Sequence, residues 1–316
     1  MKKTLFCILL SCPLFISFSQ QSPGLSREKV AELYKRLYLS SEIDSFPWKG
    51  DVRKCESGTL DTSIYLKAEI RINFFRLMNG LGIVKVNRKF NKEAQDAALL
   101  TKANNLLTHA PTKDMKCFST SAYNGCSKSC LGISDFKNFH STGFITGYIW
   151  DIGDDNYFVG HRKWILYTKL KEFGYGATDK TDALLVVDGI SYDSMPQPEY
   201  IAYPWNGFVP VNLIFPKWSF SIPQDKKVDF INAVIVMTMP DGRVLPVEKL
   251  KENKNFLDHT LVWTARGVFS PNEIEYGLNS MAEQGFLEKK IKVVIRNVMV
   301  DGKRVNYEYN VVPVKM

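Results

Sequence analysis

Apolar positions along this chain change their spacing twice. Residues 4–18 (TLFCILLSCPLFISF) form a nearly continuous apolar run behind Lys2 and Lys3, and Ser17 to Gln21 then turns small and polar. Further on, the spacing becomes helical. In residues 63–81, Ile70, Phe74, Leu77 and Leu81 step by 4, 3 and 4, which is one helix face, and Gly80 and Gly82 end it. Asn91 caps a second predicted helix with Glu93 in its first turn. Its stripe of Leu99, Ala103, Leu106 and Ala110 runs up to Pro111, which places His109 at the helix end. A shorter stripe of Val30, Leu33 and Leu37 predicts a helix over 26–39 capped by Ser26, and 143–150 (GFITGYIW) predicts another. Residues 40–60 read as a linker or wrapping arm. Residues 117–142, rich in Ser, Gly, Cys and Asn, read as a loop.

Beyond residue 170 the spacing turns to that of strands. Residues 172–177 and 183–188 are short strand candidates. From about 195 the runs 209–222, 229–239, 259–265 and 289–299 are rich in Val, Ile, Phe and Trp. Asp241-Gly242 and Asp301-Gly302 sit between such runs as hairpin signals, and Ile291, Val293 and Ile295 alternate as in a half-buried strand. Helices first and strands later predict an α+β chain. The expected divisions are a signal peptide over 1–20, an N-terminal helix and linker over 21–62, a mixed domain over 63–190, and an antiparallel β-sandwich over 195–316.

The basic start and short apolar run have the layout of a secretory leader, which predicts a secreted, extracellular or periplasmic protein. Leu9-Leu10-Ser11-Cys12 loosely matches a lipoprotein box, so a lipid anchor on Cys12 is the alternative; the apolar run continues past it. No later segment has the length and apolarity of a transmembrane span. Loss of a leader would leave Cys55, Cys117, Cys126 and Cys130, an even number that in an exported chain suggests up to two disulfides. The spacing from 117 to 130 favours a stapled loop over a zinc site, since no CxxC pair accompanies it. The formal charge of +8 is spread along the chain without a Lys/Arg block, which does not point to nucleic acid.

The chain has four histidines. His140 lies in a polar stretch and His259 precedes a predicted strand, and both are expected at the surface. His161 sits in DDNYFVGHRKWILY, with Asp151, Asp154 and Asp155 upstream and Trp150 and Trp164 on either side. An imidazole beside carboxylates serves as a general base, a metal ligand or a hydrogen-bonded structural group. The chain lacks G-x-S-x-G, H-E-x-x-H and G-x-x-x-x-G-K-[ST], so nothing signals a nucleophile elbow, a zincin or a P-loop.

Five segments in order resemble the CAP superfamily, the SCP-domain proteins that include cysteine-rich secretory proteins, antigen 5 and pathogenesis-related 1 proteins. They are Asn73 to Leu81 (N-x-x-R-x-x-x-G-L), Lys92 to Leu100, Thr108-His109, Gly160 to Leu166 (G-H-R-x-x-I-L) and Phe173 to Gly176. The resemblance implies a three-layer α-β-α sandwich with an open cleft lined by His109, His161 and Asp151, in which His109 and His161 would hold zinc or another divalent cation if one binds. It gives Asn73, Arg76, Arg162 and Trp164 structural roles. The family's G-E-N segment has no counterpart in residues 120–140, and Asp135 is the candidate for its acid. Residues 195–316 resemble a β module found beside some bacterial CAP domains. The expected function is non-enzymatic binding of a ligand, a lipid, a cell-surface component or a metal. A metal-assisted hydrolase or protease in the same cleft, and an adhesive surface protein acting through the β domain, are the alternatives. No cofactor is required by this reading.

Overall fold

The computed structural model of the chain describes residues 18–20, 24–43, 46, 48–135, 142–193, 197–251, 256–269 and 285–316. The apolar run up to residue 17, with Cys7 and Cys12, lies outside the described residues, and so does His140. Architecture is α+β, with six α-helices and three sheets among the described residues. Among them no helix is long and apolar enough to cross a membrane.

Strand β1 (Phe18–Gln20) precedes α1 (Arg27–Leu33), whose N-cap Ser26 accepts from the Lys29 amide. A π turn and a 3₁₀ turn carry the chain on to Ser41. Next come α2 (Thr62–Met78), β2 (Lys85–Val86), α3 (Asn91–Asn104), α4 (Thr120–Lys128), β3 (Ser129–Ile133), α5 (Thr142–Trp150), α6 (Gly160–Ile165), β4 (Glu172–Ala177) and β5 (Thr181–Leu185). The first sheet has the order β2-β4-β5-β3, parallel between β2 and β4 and antiparallel across the rest. Alternate residues separate its faces. Leu131, Ala183 and Leu185 pack with Ala94, Ala97, Ala98 and Leu100 of α3 and Cys126 of α4. Cys130, Phe173, Tyr175 and Leu184 belong to the larger core with Ile72 and Phe75 of α2 and Ile145 and Ile149 of α5.

Two glycines let α3 approach this sheet. A Cβ on Gly174 would lie 2.5 Å from Phe90 Cβ, and one on Gly176 would lie 2.2 Å from the Gln95 amide nitrogen. Gln95 then bonds the edge of β4, accepting from Ala177 N and donating to Ala177 O. The F-G-Y-G segment is therefore a packing device, in which glycine is the residue that lets backbones meet.

The second half holds β6 (Ile201–Tyr203), β7 (Gly207–Pro210), β8 (Lys217–Ile222), β9 (Val228–Asp229), β10 (Val234–Thr238), β11 (Val244–Leu245), β12 (Glu248–Lys249), β13 (His259–Thr264), β14 (Ile291–Val300) and β15 (Lys303–Val314). One sheet runs β12-β13-β8-β6; the other runs β1-β15-β14-β10-β11, with β7 also on β15 and β9 on β14. Pairing is antiparallel except that β1 and β7 both run parallel to β15. Both hairpin signals are realised. Asp301 (φ 48°) and Gly302 (φ 78°) form the two-residue turn between Val300 and Lys303, the positive-φ pair that matches strand twist. Phe220 of β8 meets Tyr307 of β15 at 4.9 Å, and the Trp263 indole of β13 donates to Met237 Sδ of β10, so the two sheets share one interior.

That interior is continuous with the helical half, because a single core cluster contains residues from Val30 to Val311. Phe74 meets Trp205 edge-on at 5.9 Å, and Trp150 stacks on Phe215 at 5.3 Å. Asp258 accepts from both the amide and the hydroxyl of Thr168 across the same seam.

Three local expectations differ from the structure. Helix α3 stops at Asn104, so His109 does not close it. Asn105 takes the left-handed conformation (φ 48°) that ends helices, and the Asn104 side chain turns away to bond both backbone groups of Lys116. Leu106 and Leu107 are consequently exposed. Residues 117–142 are not one loop, since α4 and β3 fill most of the described part. Gly125 sits inside α4 because a Cβ there would meet the Glu93 carbonyl oxygen of α3 at 2.0 Å, a composition signal that imitates a turn. Finally, Cys55 is bonded to Cys117, while Cys126 and Cys130 are free and buried. These last two sit in different core clusters on opposite faces of the first sheet, which keeps their thiols apart.

Gly176→Ala should therefore lower stability by about 3 kcal/mol, the upper range for overpacking a filled site. Urea unfolding measures it, and an unchanged midpoint would contradict the close approach of α3.

Candidate functional site

Asp151 and His161 meet where two helices turn. Helix α5 ends at Trp150, and Asp151 follows in a left-handed conformation (φ 58°) with its amide bonded to the Gly147 carbonyl. Helix α6 begins one residue before His161, after Val159, which is also left-handed (φ 49°). That conformation is uncommon outside glycine and rarer still in a β-branched residue, and costs of order 1–3 kcal/mol. Such strain persists where surrounding contacts enforce it, and here both strained residues flank the same imidazole.

The Asp151 carboxylate is fully buried. Its Oδ1 lies 2.7 Å from His161 Nδ1, and its Oδ2 accepts from the Arg162 amide at 3.2 Å. An ionised carboxylate only accepts, so Nδ1 of His161 donates to it, and in the neutral ring the lone pair then sits on Nε2. The imidazole side chain is 24% exposed, so part of the ring meets solvent. Its ring lies 5.0 Å from that of Tyr148, one turn back on α5.

Tyr148 leads to a second buried carboxyl. Its hydroxyl donates to Asp182 Oδ1 at 2.5 Å. Burial raises Asp182 well above the usual carboxyl range, and the hydroxyls of Tyr148 and Tyr175 oppose that rise. Burial likewise holds Tyr148 protonated and lifts the nearby Cys130 thiol far above its ordinary value, with the charges of Asp151 and Asp182 adding to the effect on Cys130. Cys126 is pushed up to about 11 by burial. Neither thiol has the thiolate character of a nucleophile.

Arginines predicted to be structural are deeply buried. Arg76 donates to four carbonyls, those of Gly82, Ile165, Tyr167 and Leu170, and Asn73 exchanges two 2.8 Å bonds with the Val84 backbone. Burial lowers Arg76 to about 9. Arg162 donates to the carbonyls of Ile149 and Trp150 and to Ser219 Oγ, with its guanidinium 4.4 Å above the Tyr203 ring. Trp164 packs edge-on against Tyr167 and Phe256.

His109 stands apart. It is exposed, and its Nδ1 lies 2.8 Å from the Cys126 carbonyl, which acts as acceptor. Among the described residues no hydrogen bond, ion pair or ring contact joins His109 to His161. Nor is any group of three or more His, Cys, Asp or Glu side chains among them placed to hold a metal ion. A zinc centre needs three or four such ligands, so the pair expected to bind zinc does not supply a fitting set. Asp135 forms an exposed ion pair with Lys180 and does not join the site. His259 opens β13 and is half-buried.

Sequence reasoning found Asp151 and His161 but missed Tyr148, Asp182 and Lys217. Asp182 carried a readable signal, a lone carboxylate inside the apolar run TDALLVV. Lys217 carried none, because it reaches the site from the β half. Its Nζ donates to the carbonyls of Asp151, Gly153 and Asn156 at 2.8, 2.5 and 3.2 Å. Burial lowers it to about 8, while Asp151 and Asp154 pull the other way and Arg162 reinforces the fall.

The Asp182 shift has a definite pH consequence. Its folded pKa lies above the unfolded value of about 3.9, so its contribution is full below that pH and is lost as pH rises through the folded pKa. Asp182→Asn keeps an acceptor for Tyr148 and removes the titration. Denaturation between about pH 4 and pH 8 should show the wild type losing stability relative to this variant as pH rises; a constant difference would contradict a raised pKa. No protein-family model, curated protein or solved structure matches the chain, so the chemistry of this site rests on its geometry.

Proposed function

We propose that this chain is a secreted CAP-type protein, a three-layer α-β-α sandwich followed by a β-sandwich, that binds a ligand at His161 without turning it over. The observation that carries the reading is the Asp151–His161 pair: a buried carboxylate accepts from Nδ1 of a part-exposed ring and so sets its tautomer. Support for the family comes from residues of the resembling segments that fill coherent roles. Asn73 and Arg76 tie down the loops after α2 and α6, Gly174 and Gly176 admit α3, and Arg162 anchors the end of α5. A neutral imidazole with a free Nε2 accepts a hydrogen bond, and its protonated form donates one to an anion. The ligand is thus a small polar molecule or a lipid headgroup with a hydroxyl or an acidic group. A metal is the weaker occupant, given the incomplete ligand set.

One observation favours the hydrolase alternative: a carboxylate-oriented imidazole is also what general-base catalysis requires. Adhesion through 195–316 alone draws less support, because that half shares its core with the rest. The two site readings separate on His161→Ala. Binding of phospholipid micelles to the protein, followed by co-sedimentation, should be lost in the variant while its circular dichroism is unchanged. Zinc titration by calorimetry should show no stoichiometric binding that depends on His161. Hydrolysis of casein or a chromogenic ester that disappears in His161→Ala would replace the binding reading with the enzymatic one.

A further inference from the structure

We propose that Lys217 of the β half is a positioning residue for the His161 site, acting through Asp151. This rests on His161 being the ligand-facing group, but its test does not need a ligand.

The chain leaves α5 through Asp151, Ile152, Gly153 and the 3₁₀ turn Asp154–Asn156 before reaching α6. Ile152 to Asp155 are exposed, so little packing fixes this turn from outside. Lys217 grips it from within. Its ammonium sits among the carbonyl oxygens of Asp151, Gly153 and Asn156, one N–H for each, the way a bound cation sits among oxygens. Asp151 is therefore held at three places: its amide by the Gly147 carbonyl, its carbonyl by Lys217, and its carboxylate by His161 and the Arg162 amide. Releasing the carbonyl frees a residue whose left-handed conformation is unfavourable on its own, and the carboxylate swings with it. The groups facing Lys217 are Asp151, Asp154 and Arg162; those facing His161 are Asp151 and Tyr148.

The consequence is a division of labour unlike two independent modules. Strand β8 supplies Lys217 to the turn before His161 and Ser219 to Arg162 just after it. The β half thus sets the donor geometry of the site in the helical half.

The test is the exchange rate of the His161 Nδ1 proton, read by NMR on the whole protein. In the wild type this proton should be visible and slow to exchange, because it points at a buried carboxylate. Lys217→Met keeps an unbranched side chain one atom shorter and removes all three donors. Exchange should speed up at least tenfold, while backbone amides of α3 keep their protection. Lys217→Gln keeps a polar tip, but its shorter, uncharged amide offers two N–H donors for three carbonyls, so the same loss is expected there, and this variant serves if Lys217→Met does not fold. A folded variant with the wild-type exchange rate would overturn the proposal. Failure of His161 to bind any ligand would count against the functional reading and leave this result standing.

Discussion

The carbonyls of Ile149, Trp150 and Asp151, where α5 ends, are each taken by a cation. Arg162 donates from Nε to Ile149 and from Nη2 to Trp150, and Lys217 donates to Asp151. Helix C-termini leave such acceptors without intrahelical partners, and cations there also complement the helix dipole. Each carbonyl stranded in a buried setting would cost about 1–3 kcal/mol. Because Arg162 is itself one residue past His161, the same contact that ends α5 fixes where α6 begins. The imidazole has little freedom left once both ends are set.

This arrangement ties the two halves together. The ammonium and the hydroxyl that complete it come from β8, and Tyr203 beneath Arg162 comes from β6. A buried guanidinium needs its acceptors close at hand, since an uncompensated charge there is strongly destabilising. The stacking of Trp150 on Phe215 and the edge contact of Phe74 with Trp205 place apolar surface around these polar bonds. Screened from water, the bonds are stronger than they would be at a surface.

Much of the frame could be read in the chain because it depends on local pattern. The helix α2, the cap at Ser26 and the turn at Asp301-Gly302 all appear where the spacing placed them, although α2 ends at Met78 and Leu77 of its 4-3-4 stripe is exposed. Expectations went astray where a distant contact overrode the pattern. Leu106 continues the α3 stripe, yet Asn104 and Asn105 end the helix before it. Gly125 resembles a turn residue and is a crossing point for α3. Cys126 and Cys130 are disulfide candidates by number, yet they lie on opposite faces of a sheet. At the site, Asp151 and His161 were legible through their shared segment. Asp182 stood out as a lone carboxylate in an apolar run and Tyr148 lies one turn before Asp151, but nothing local linked the two, and Lys217 was not legible because only the fold brings it near. His109 shows the converse, a residue matched by motif that the structure bonds to the Cys126 carbonyl, away from the other histidine.

The central claim is that Asp151 fixes the tautomer of His161 and leaves Nε2 free. The most direct measurement is the pair of imidazole nitrogen shifts of His161 in the ligand-free protein above pH 7, from long-range proton–nitrogen correlation. The account predicts a protonated Nδ1 and an unprotonated Nε2, with Asp151→Asn shifting that balance. A ring protonated on Nε2, or one unaffected by Asp151→Asn, would contradict it.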